Sequence, residues 1–298
     1  LITASTPPPD LGHAYYAERE IAVRNGRFIQ KTIYDKETLT QKELETIIEK
    51  SGGINSPAFR RERLCEAISD PEMLIIPEYS EERCVVPDDY PMPQFCDKYV
   101  GGDSGVDDNT ALLFAWYDFI KDEVVVDDEF VINGKTSGEI FTTAKAIESN
   151  LWGTEKPYRR VYDADKQLRY DITLDQGYQV QAPRKDDKVA AIHELRMRIQ
   201  AGKFKVKKRC KNTHRQLKVG MWANEKKLDF QRTEGLGHLD AVAASIYLNR
   251  SIDTKRNPWP AHYGLSHDNH YLPPTPDHSP GTTEHALKSL FGLKRGAG

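Results

Sequence analysis

Residues 98–134 restrict the possible folds more than any other part of the chain. They contain three apolar runs, at 99–102, 110–117 and 124–131, separated by short polar turns. Runs of this length that are rich in valine and aromatic residues predict three consecutive antiparallel strands. The first run ends in Asp103, beside glycines that allow another group to approach the backbone closely. The segment therefore predicts a meander that presents a carboxylate at a strand end, although Asp-Ser-Gly is also common turn chemistry.

Strands and helices alternate after residue 158, which predicts that parallel strands are added to this meander. Short strands are expected at 158–162, 178–182 and 204–206, and residues 137–152 have the apolar spacing of a helix. The fold class is therefore α/β, with a mixed sheet of three antiparallel strands and then parallel strands, flanked by helices. This is the strand order of the RNase H fold.

The first part of the chain predicts a smaller α/β region before the sheet. A strand is expected at 28–34, and helices at 40–51 and 57–68, each with a capping residue before its first turn. Residues 71–93 are rich in proline and acidic residues, which indicates a linker. We therefore predict domains at 1–93 and 94–253 and a flexible tail at 254–298, where apolar residues are sparse.

Charge and composition limit the function classes. The net charge is −3, but residues 181–232 hold sixteen Lys and Arg against five Asp and Glu, which indicates a face that binds an anion or a merely solvated surface. No apolar run approaches the ~20 residues of a membrane span, so no membrane partner is expected. No signal peptide is evident, and four cysteines without C-x-x-C spacing fit a reducing, cytosolic setting. No G-x-x-x-x-G-K-[ST] loop occurs, so a nucleotide is not held in the P-loop manner.

Three acidic residues stand at positions where the predicted topology would bring them together. Asp103 ends the first strand, Asp163 ends the fourth and Asp240 opens the last helix. Carboxylate oxygens are preferred ligands of Mg²⁺ and Mn²⁺, and a pair of such ions promotes phosphoryl transfer. We therefore expect a site for Mg²⁺ or Mn²⁺, with two ions. The structural alternatives are that Asp163, or Asp165 just past the strand end, caps the helix that follows, and that Asp240 is a favourable first-turn charge.

An ordered set of segments resembles the large terminase subunit of tailed bacteriophages, covering the end of its ATPase domain and its nuclease domain. The segments are STPP at 5–8, ELETIIEKSGGINSPAFRRERLC at 43–65, GGDSGVDDNTALL at 101–113, VVVDDEF at 124–130, VYDAD at 161–165, APRKDDKVAAI at 182–192 and GHLDAVAASIYL at 237–248. The resemblance covers roughly residues 1 to 252. It implies an RNase H-like nuclease preceded by a small α/β remnant of a P-loop ATPase domain.

The resemblance also implies a function and its partners. The family's nuclease cuts concatemeric double-stranded DNA for viral genome packaging, by two-metal phosphodiester hydrolysis. The implied partners are double-stranded DNA, the small terminase subunit and the portal protein, in the host-cell cytoplasm and transiently on the procapsid. ATPase activity is not expected, because the Walker loop is missing from this sequence.

The resemblance assigns roles to individual positions. Asp103, Asp163 and Asp240 match the metal-binding acids, with Asp165 in reserve for Asp163 and Asp108 as a further reserve ligand.

Basic and neighbouring residues receive supporting roles. Lys185 lies where the family carries a lysine near the site, and it is expected to bind phosphate together with Lys205, Lys207 and Lys208. Glu129 is expected to support the metal ligands from a neighbouring strand. His238 is expected to be a structural or DNA-facing residue beside Asp240, with direct metal ligation as the alternative.

Two other functions remain open on the sequence. Another nuclease of the same fold, a transposase or junction resolvase, would share the acids but would not explain residues 1–70. A non-catalytic module that docks on the portal or on DNA would leave the acids scattered and would take up no metal.

Overall fold

The centre of the structure is a six-stranded mixed sheet with helices on both faces. This computed structural model describes residues 5–8, 11, 13–68, 72–104, 110–224, 226–233, 236–261 and 263. The strands of the described residues are β1 (Val85–Val86), β2 (Asp97–Ser104), β3 (Thr110–Asp118), β4 (Glu123–Ile132), β5 (Arg159–Asp163) and β6 (Phe204–Lys207). Their spatial order in the sheet is β1-β6-β4-β3-β2-β5.

The predicted antiparallel meander forms the middle of this sheet. β2 pairs with β3 from Asp97 opposite Tyr117 to Ser104 opposite Thr110, and β3 pairs antiparallel with β4. All nine residues of β3 are buried. A central strand covered on both faces has apolar residues on both sides, which explains why its sequence is a continuous apolar run.

Parallel strands extend the meander on both sides. β5 runs parallel to β2, β6 runs parallel to β4, and β1 runs parallel to β6. The predicted fold class, three antiparallel strands followed by parallel strands and flanked by helices, is thereby confirmed. The strand expected at 178–182 is a single bridge between Val161 and Gln181, so this segment covers the edge of β5 without extending the sheet.

Helices cover the two faces of the sheet separately. The helices of the described residues are α1 (Ala14–Arg24), α2 (Gln41–Lys50), α3 (Pro57–Arg63), α4 (Glu81–Cys84), α5 (Ser137–Trp152), α6 (Lys166–Gln176), α7 (Lys188–Gln200), α8 (Lys211–Val219) and α9 (Asp240–Ser251). Apolar residues of α7, α8 and α9 form one core with the sheet, and those of α5 and α6 form a second. Each fully buried large side chain contributes about 1.5–3 kcal/mol to these cores.

Side-chain alternation decides which strand residues face which core. Tyr99 lies in the core beneath α9, while Val100 and Tyr162 lie in the core beneath α5. Successive side chains of a strand point to opposite faces of the sheet. The side chain of Asp103 therefore points to the same face as that of Tyr99, and the side chain of Asp163 points to the other face from that of Tyr162. Both carboxylates are therefore on the face that α9 covers.

The first part of the chain differs from the sequence prediction. The strand expected at 28–34 is wrong, because this stretch is largely irregular and ends in a 3₁₀ turn, Ile33–Asp35, with Ile29 81% exposed. The helix α1 was not predicted, since none of its residues is buried and its apolar pattern is weak. The capping box of α2, with Thr40 and Glu43 bonded reciprocally, is as expected.

Residues 72–86 are integrated into the sheet rather than forming an extended linker. Ile75, Ile76 and Cys84 are buried in the core beneath α9, and the amide of Ile75 donates to the carbonyl of Gly220. β1 adds the last strand at the β6 edge. The domain boundary near residue 93 stays a prediction.

The chain divides into two units, Leu1–Asn257 and Pro258–Gly298. In the second unit the structure describes residues 258–261 and 263, where the rings of Trp259 and Tyr263 lie 4.8 Å apart. Most of the predicted tail therefore lies outside the described residues. None of the helices formed by the described residues combines the length and the apolar character that crossing a bilayer requires.

Candidate metal centre

The three predicted acids converge at one edge of the sheet. Asp103 is opposite Asp163 in the parallel pairing of β2 and β5, so both carboxylates stand at the carboxyl ends of adjacent strands. Asp240 is the first residue of α9, the helix that lies on the same face of these strands. Asp103 is 9% exposed and Asp240 only 1% exposed.

A glycine in β2 allows α9 to approach the strands this closely. A Cβ atom at Gly101 would lie 2.6 Å from Cβ of Leu248 and 2.9 Å from the carbonyl oxygen of Ala244. These distances are below any ordinary van der Waals contact, so a side chain at this position would push the helix away. Gly101 thus sets the distance between β2, which carries Asp103, and α9, which carries Asp240.

Asp103, His238 and Asp240 form a group with the donor atoms of a cation site. One ligand atom from each of the three lies within 4.8 Å of the others. Nδ1 of His238 and Oδ1 of Asp240 are 3.1 Å apart. Carboxylate oxygens with one imidazole nitrogen suit Mg²⁺, Mn²⁺ or another divalent ion. These residues therefore fit a divalent cation, and the geometry supports His238 as a ligand more strongly than its sequence position did.

The electrostatics of Asp103 also favour a cation. Burial, followed by the negative charges of Asp240 and Asp163, raises the pKa of Asp103 from 3.8 to about 7. His238 and Lys185 act in the opposite direction. Like charges in a desolvated site oppose ionisation, and a bound divalent cation relieves this penalty.

Asp163 is held by a lysine and a tyrosine. Its Oδ1 is 2.7 Å from the ammonium nitrogen of Lys185, and its Oδ2 accepts a 2.8 Å hydrogen bond from the hydroxyl of Tyr247. Burial and the hydrogen bond to Asp163 raise the pKa of Tyr247 far above its ordinary value, so the phenol remains a donor. Lys185 therefore lies beside the acids, as its sequence position indicated.

The reserve residue Asp165 has a structural role. It is the N-cap of α6, and its Oδ1 accepts a 2.9 Å hydrogen bond from the amide of Leu168. The helix cap predicted for an acid past the end of β5 is thus present at Asp165, while Asp163 faces α9. The other reserve, Asp108, lies outside the described residues.

Glu129 contacts the first turn of α8. Its two carboxylate oxygens accept hydrogen bonds from the amides and side chains of Asn212 and Thr213, at 2.7–3.0 Å. These groups belong to the first turn of α8, where unpaired amides favour a negative charge. The expectation that Glu129 supports the metal ligands is therefore corrected: the residue caps α8.

The basic run around β6 also has structural partners. Lys207 is buried and its ammonium is 2.8 Å from Oδ1 of the buried Asp127, so it is not available to a phosphate. The ammonium of Lys205 donates to the carbonyl of Arg83 at 2.6 Å. At about 4.8 Å between strands, β6 lies roughly 14 Å across the sheet from β2. The expected phosphate contact is corrected for Lys207 and stays a prediction for Lys205 and Lys208.

A cleft of about 590 Å³ opens over the acids. The basic side chains that line it do not come from the predicted run at 205–208. They come from the loop before α7, from α7 and from α9, and they are Arg184, Lys185, Lys188 and Arg250. The ammonium of Lys188 lies 4.4 Å from the ring centre of Phe230, on the same wall. The cleft can therefore accept an anion directly above the carboxylates.

One face of α9 supplies much of this cleft, and sequence reasoning overlooked most of it. Asp240, Ala243, Tyr247 and Arg250 are spaced three or four residues apart and all line the cleft. Residues at this spacing lie on one side of a helix. Helical spacing from Asp240 could therefore have identified Tyr247 and Arg250 as site residues.

The fold and the cluster together define an RNase H-like α/β architecture with an acidic centre at the ends of two adjacent parallel strands. Among solved structures, the chain is similar to the large terminase of a thermophilic bacteriophage. For the complex of that protein with ADP the TM-score is 0.51 at 16% identity, covering 82% of this chain and 60% of that one. Another structure of the same protein gives 0.50 at 16% identity, with 82% and 61% covered.

The similarity to large terminases that the motifs indicated is thus confirmed at the level of the fold. The chain spans about 60% of the length of the structures it matches. No protein-family model matches the chain, and no curated protein sequence matches it.

Proposed function

We propose that this chain is the nuclease-bearing part of a phage large terminase subunit, a divalent-metal-dependent endonuclease that cuts double-stranded DNA. The observation that carries the proposal is the convergence of Asp103, Asp163 and Asp240 with His238 beneath a cleft lined by basic side chains. The likeness in fold to a large terminase supports the same activity.

The chain's own residues divide the work in this proposal. Asp103, Asp240 and His238 would hold one Mg²⁺ or Mn²⁺, and Asp163 would help to hold a second. Bound there, such ions would act as Lewis acids on the phosphodiester. Lys185 contacts the scissile phosphate, and Tyr247 fixes the orientation of Asp163. The basic side chains that line the cleft suit the phosphates of DNA, so binding is led by the phosphate backbone.

The wider assignment follows the resemblance. In this proposal the chain acts on concatemeric viral DNA in the host-cell cytoplasm, with the small terminase subunit and the portal protein as partners and a transient association with the procapsid. No ATPase activity is proposed for these residues, because the sequence contains no Walker loop. A docking module without catalysis is disfavoured, since that function predicts scattered acids.

Plasmid cleavage tests the proposal. Purified chain is incubated with supercoiled plasmid and Mn²⁺ or Mg²⁺, with and without EDTA, and nicked and linear products are quantified. We expect metal-dependent cleavage that EDTA abolishes and that Asp240→Asn reduces by several orders of magnitude. Asp175→Asn is the matched control, because this acid is exposed on α6 outside the cleft lining. Near-native cleavage by Asp240→Asn, or cleavage in EDTA, would reject the assignment.

A further inference from the structure

Asp163 differs from the other two acids in how its charge is compensated. Its Oδ1 is 2.7 Å from the ammonium of Lys185, whereas Asp103 and Asp240 are grouped with His238. The three-residue group with ligand atoms within 4.8 Å of one another does not include Asp163. The described site therefore has two parts: a cluster with preformed ligand geometry, and an acid already paired with a cation of the protein.

We propose that the ammonium of Lys185 is a tethered cation that occupies Asp163 in the metal-free protein and must leave before Asp163 can bind a divalent ion. This inference rests on the proposed function, because it concerns the same metal centre. It assigns an order to metal entry: the cluster of Asp103, His238 and Asp240 fills first, and Asp163 takes part only after Lys185 has moved.

The distances make simultaneous occupancy unfavourable. A Mg²⁺ ion binds carboxylate oxygens at about 2.0–2.1 Å, so an ion on Oδ1 of Asp163 would lie within a few ångströms of the Lys185 ammonium. At such a short distance, a divalent ion and an ammonium group repel each other strongly. This holds at any dielectric constant that applies to such a site. Lys185 can move, because its side chain is 61% exposed while that of Asp163 is 15% exposed.

Lys185 is nevertheless presented to Asp163 by a fixed loop. Arg250 of α9 has a side chain only 5% exposed, and its guanidinium donates to the carbonyls of Arg184 and Asp186 on either side of Lys185. The same guanidinium lies 3.4 Å from the carboxylate of Glu194 on α7. The backbone at Lys185 is thus anchored to the helix that carries Asp240, and only the flexible side chain needs to move.

Tyr247 keeps Asp163 in place when Lys185 leaves. Its hydroxyl donates to Oδ2 of Asp163 at 2.8 Å, on the oxygen opposite the one paired with Lys185. A carboxylate held through one oxygen keeps the other available with a defined direction. Lys185 and Tyr247 therefore have opposite effects on metal binding at Asp163: the lysine competes with the ion, and the tyrosine orients its ligand.

The test is a Mn²⁺ titration without DNA near neutral pH, by calorimetry and by electron paramagnetic resonance of free Mn²⁺. For the wild-type chain we expect a first equivalent and a weaker second equivalent. Lys185→Gln should tighten the second equivalent by about fivefold, the scale of an exposed ion pair, and leave the first nearly unchanged. Tyr247→Phe should weaken the second equivalent.

Lys188→Gln is the matched control. It removes the same charge from the same cleft, but its ammonium donates to the carbonyl of Leu228 at 2.7 Å. The inference predicts wild-type affinities for this variant. An equal effect of Lys185→Gln and Lys188→Gln would mean a general charge effect and would overturn it.

Four other results would also be decisive. A second equivalent that Lys185→Gln leaves unchanged, or an equal tightening of both equivalents, would overturn the inference while leaving the metal centre intact. Mn²⁺ binding that stops at one equivalent in every variant would overturn it as well. A wild-type chain that binds no Mn²⁺ would reject the proposed metal centre and the inference with it. Thermal unfolding of each variant in EDTA verifies that the fold is retained.

Discussion

Replacing Asp103 by asparagine should change how the stability of the metal-free protein depends on pH. The pKa of Asp103 is about 7 in the folded protein, against 3.8 for an ordinary aspartate, because of burial and the charges of Asp240 and Asp163. Between about pH 4 and 7 the unfolded chain has ionised this group while the folded protein still holds its proton. The folded state binds more protons, so the free energy of unfolding falls as pH rises through this window.

The size of the effect follows from the two pKa values. A separation from 3.8 to about 7 corresponds to about 4 kcal/mol of stability that is present below about pH 4 and lost above about pH 7. Asparagine has a similar shape and no charge, so the Asp103→Asn variant does not lose this stability as the pH rises. The variant should match the wild type at about pH 3.5, below the unfolded pKa, and exceed it by up to about 4 kcal/mol near about pH 8.

Urea unfolding in EDTA at several pH values across this window measures the difference. Asp175→Asn, an exposed acid on α6, is the control and should follow the wild type at every pH. Addition of Mn²⁺ at the alkaline end should stabilise the wild type more than Asp103→Asn, since binding to the folded state stabilises by mass action and the variant lacks a ligand. A difference between wild type and Asp103→Asn that stays constant across the window would refute the electrostatic account of this site.

Four further substitutions test how the site is built. Gly101→Ala should destabilise the protein by about 3 kcal/mol in urea unfolding and reduce cleavage, because the added Cβ would lie 2.6 Å from a side chain of α9. An unchanged unfolding curve would contradict the close approach of α9. Glu129→Gln should lower the free energy of unfolding by about 1 kcal/mol through weaker capping of α8 and leave the cleavage rate unchanged. A loss of cleavage in the folded variant would restore the role of Glu129 at the metal centre. Asp163→Asn should lower plasmid cleavage by several orders of magnitude, whereas Asp165→Asn should cost little, because asparagine caps a helix about as well as aspartate. If Asp165→Asn were the inactive variant, the second ligand would be misassigned.

The sheet and its acids were predictable because they depend on local patterns. The apolar runs of β2, β3 and β4 fixed the meander, and alternation along β5 placed Asp163 and Tyr162 on opposite faces. The N-cap role of Asp165 followed from its position just past the strand end.

Other features depend on contacts between distant segments, which no local pattern carries. Glu129 is far along the chain from the helix it caps, and Lys207 is equally far from its partner Asp127. Both looked like site residues because their charges are visible in the sequence while their partners are not. Residues 71–93 looked like a linker because of their prolines and acids, yet Ile75 and Ile76 complete the core under α9.

The cation site at the ends of β2 and β5 is the central claim, and anomalous diffraction from crystals soaked in Mn²⁺ tests it most directly. We predict a peak within coordination distance of the carboxylates of Asp103 and Asp240 and of the His238 ring, with a second peak at Asp163 favoured in crystals of Lys185→Gln. The peaks should disappear after back-soaking in EDTA. Well-ordered crystals that bind Mn²⁺ elsewhere, or that show no peak at these acids at millimolar Mn²⁺, would contradict the account.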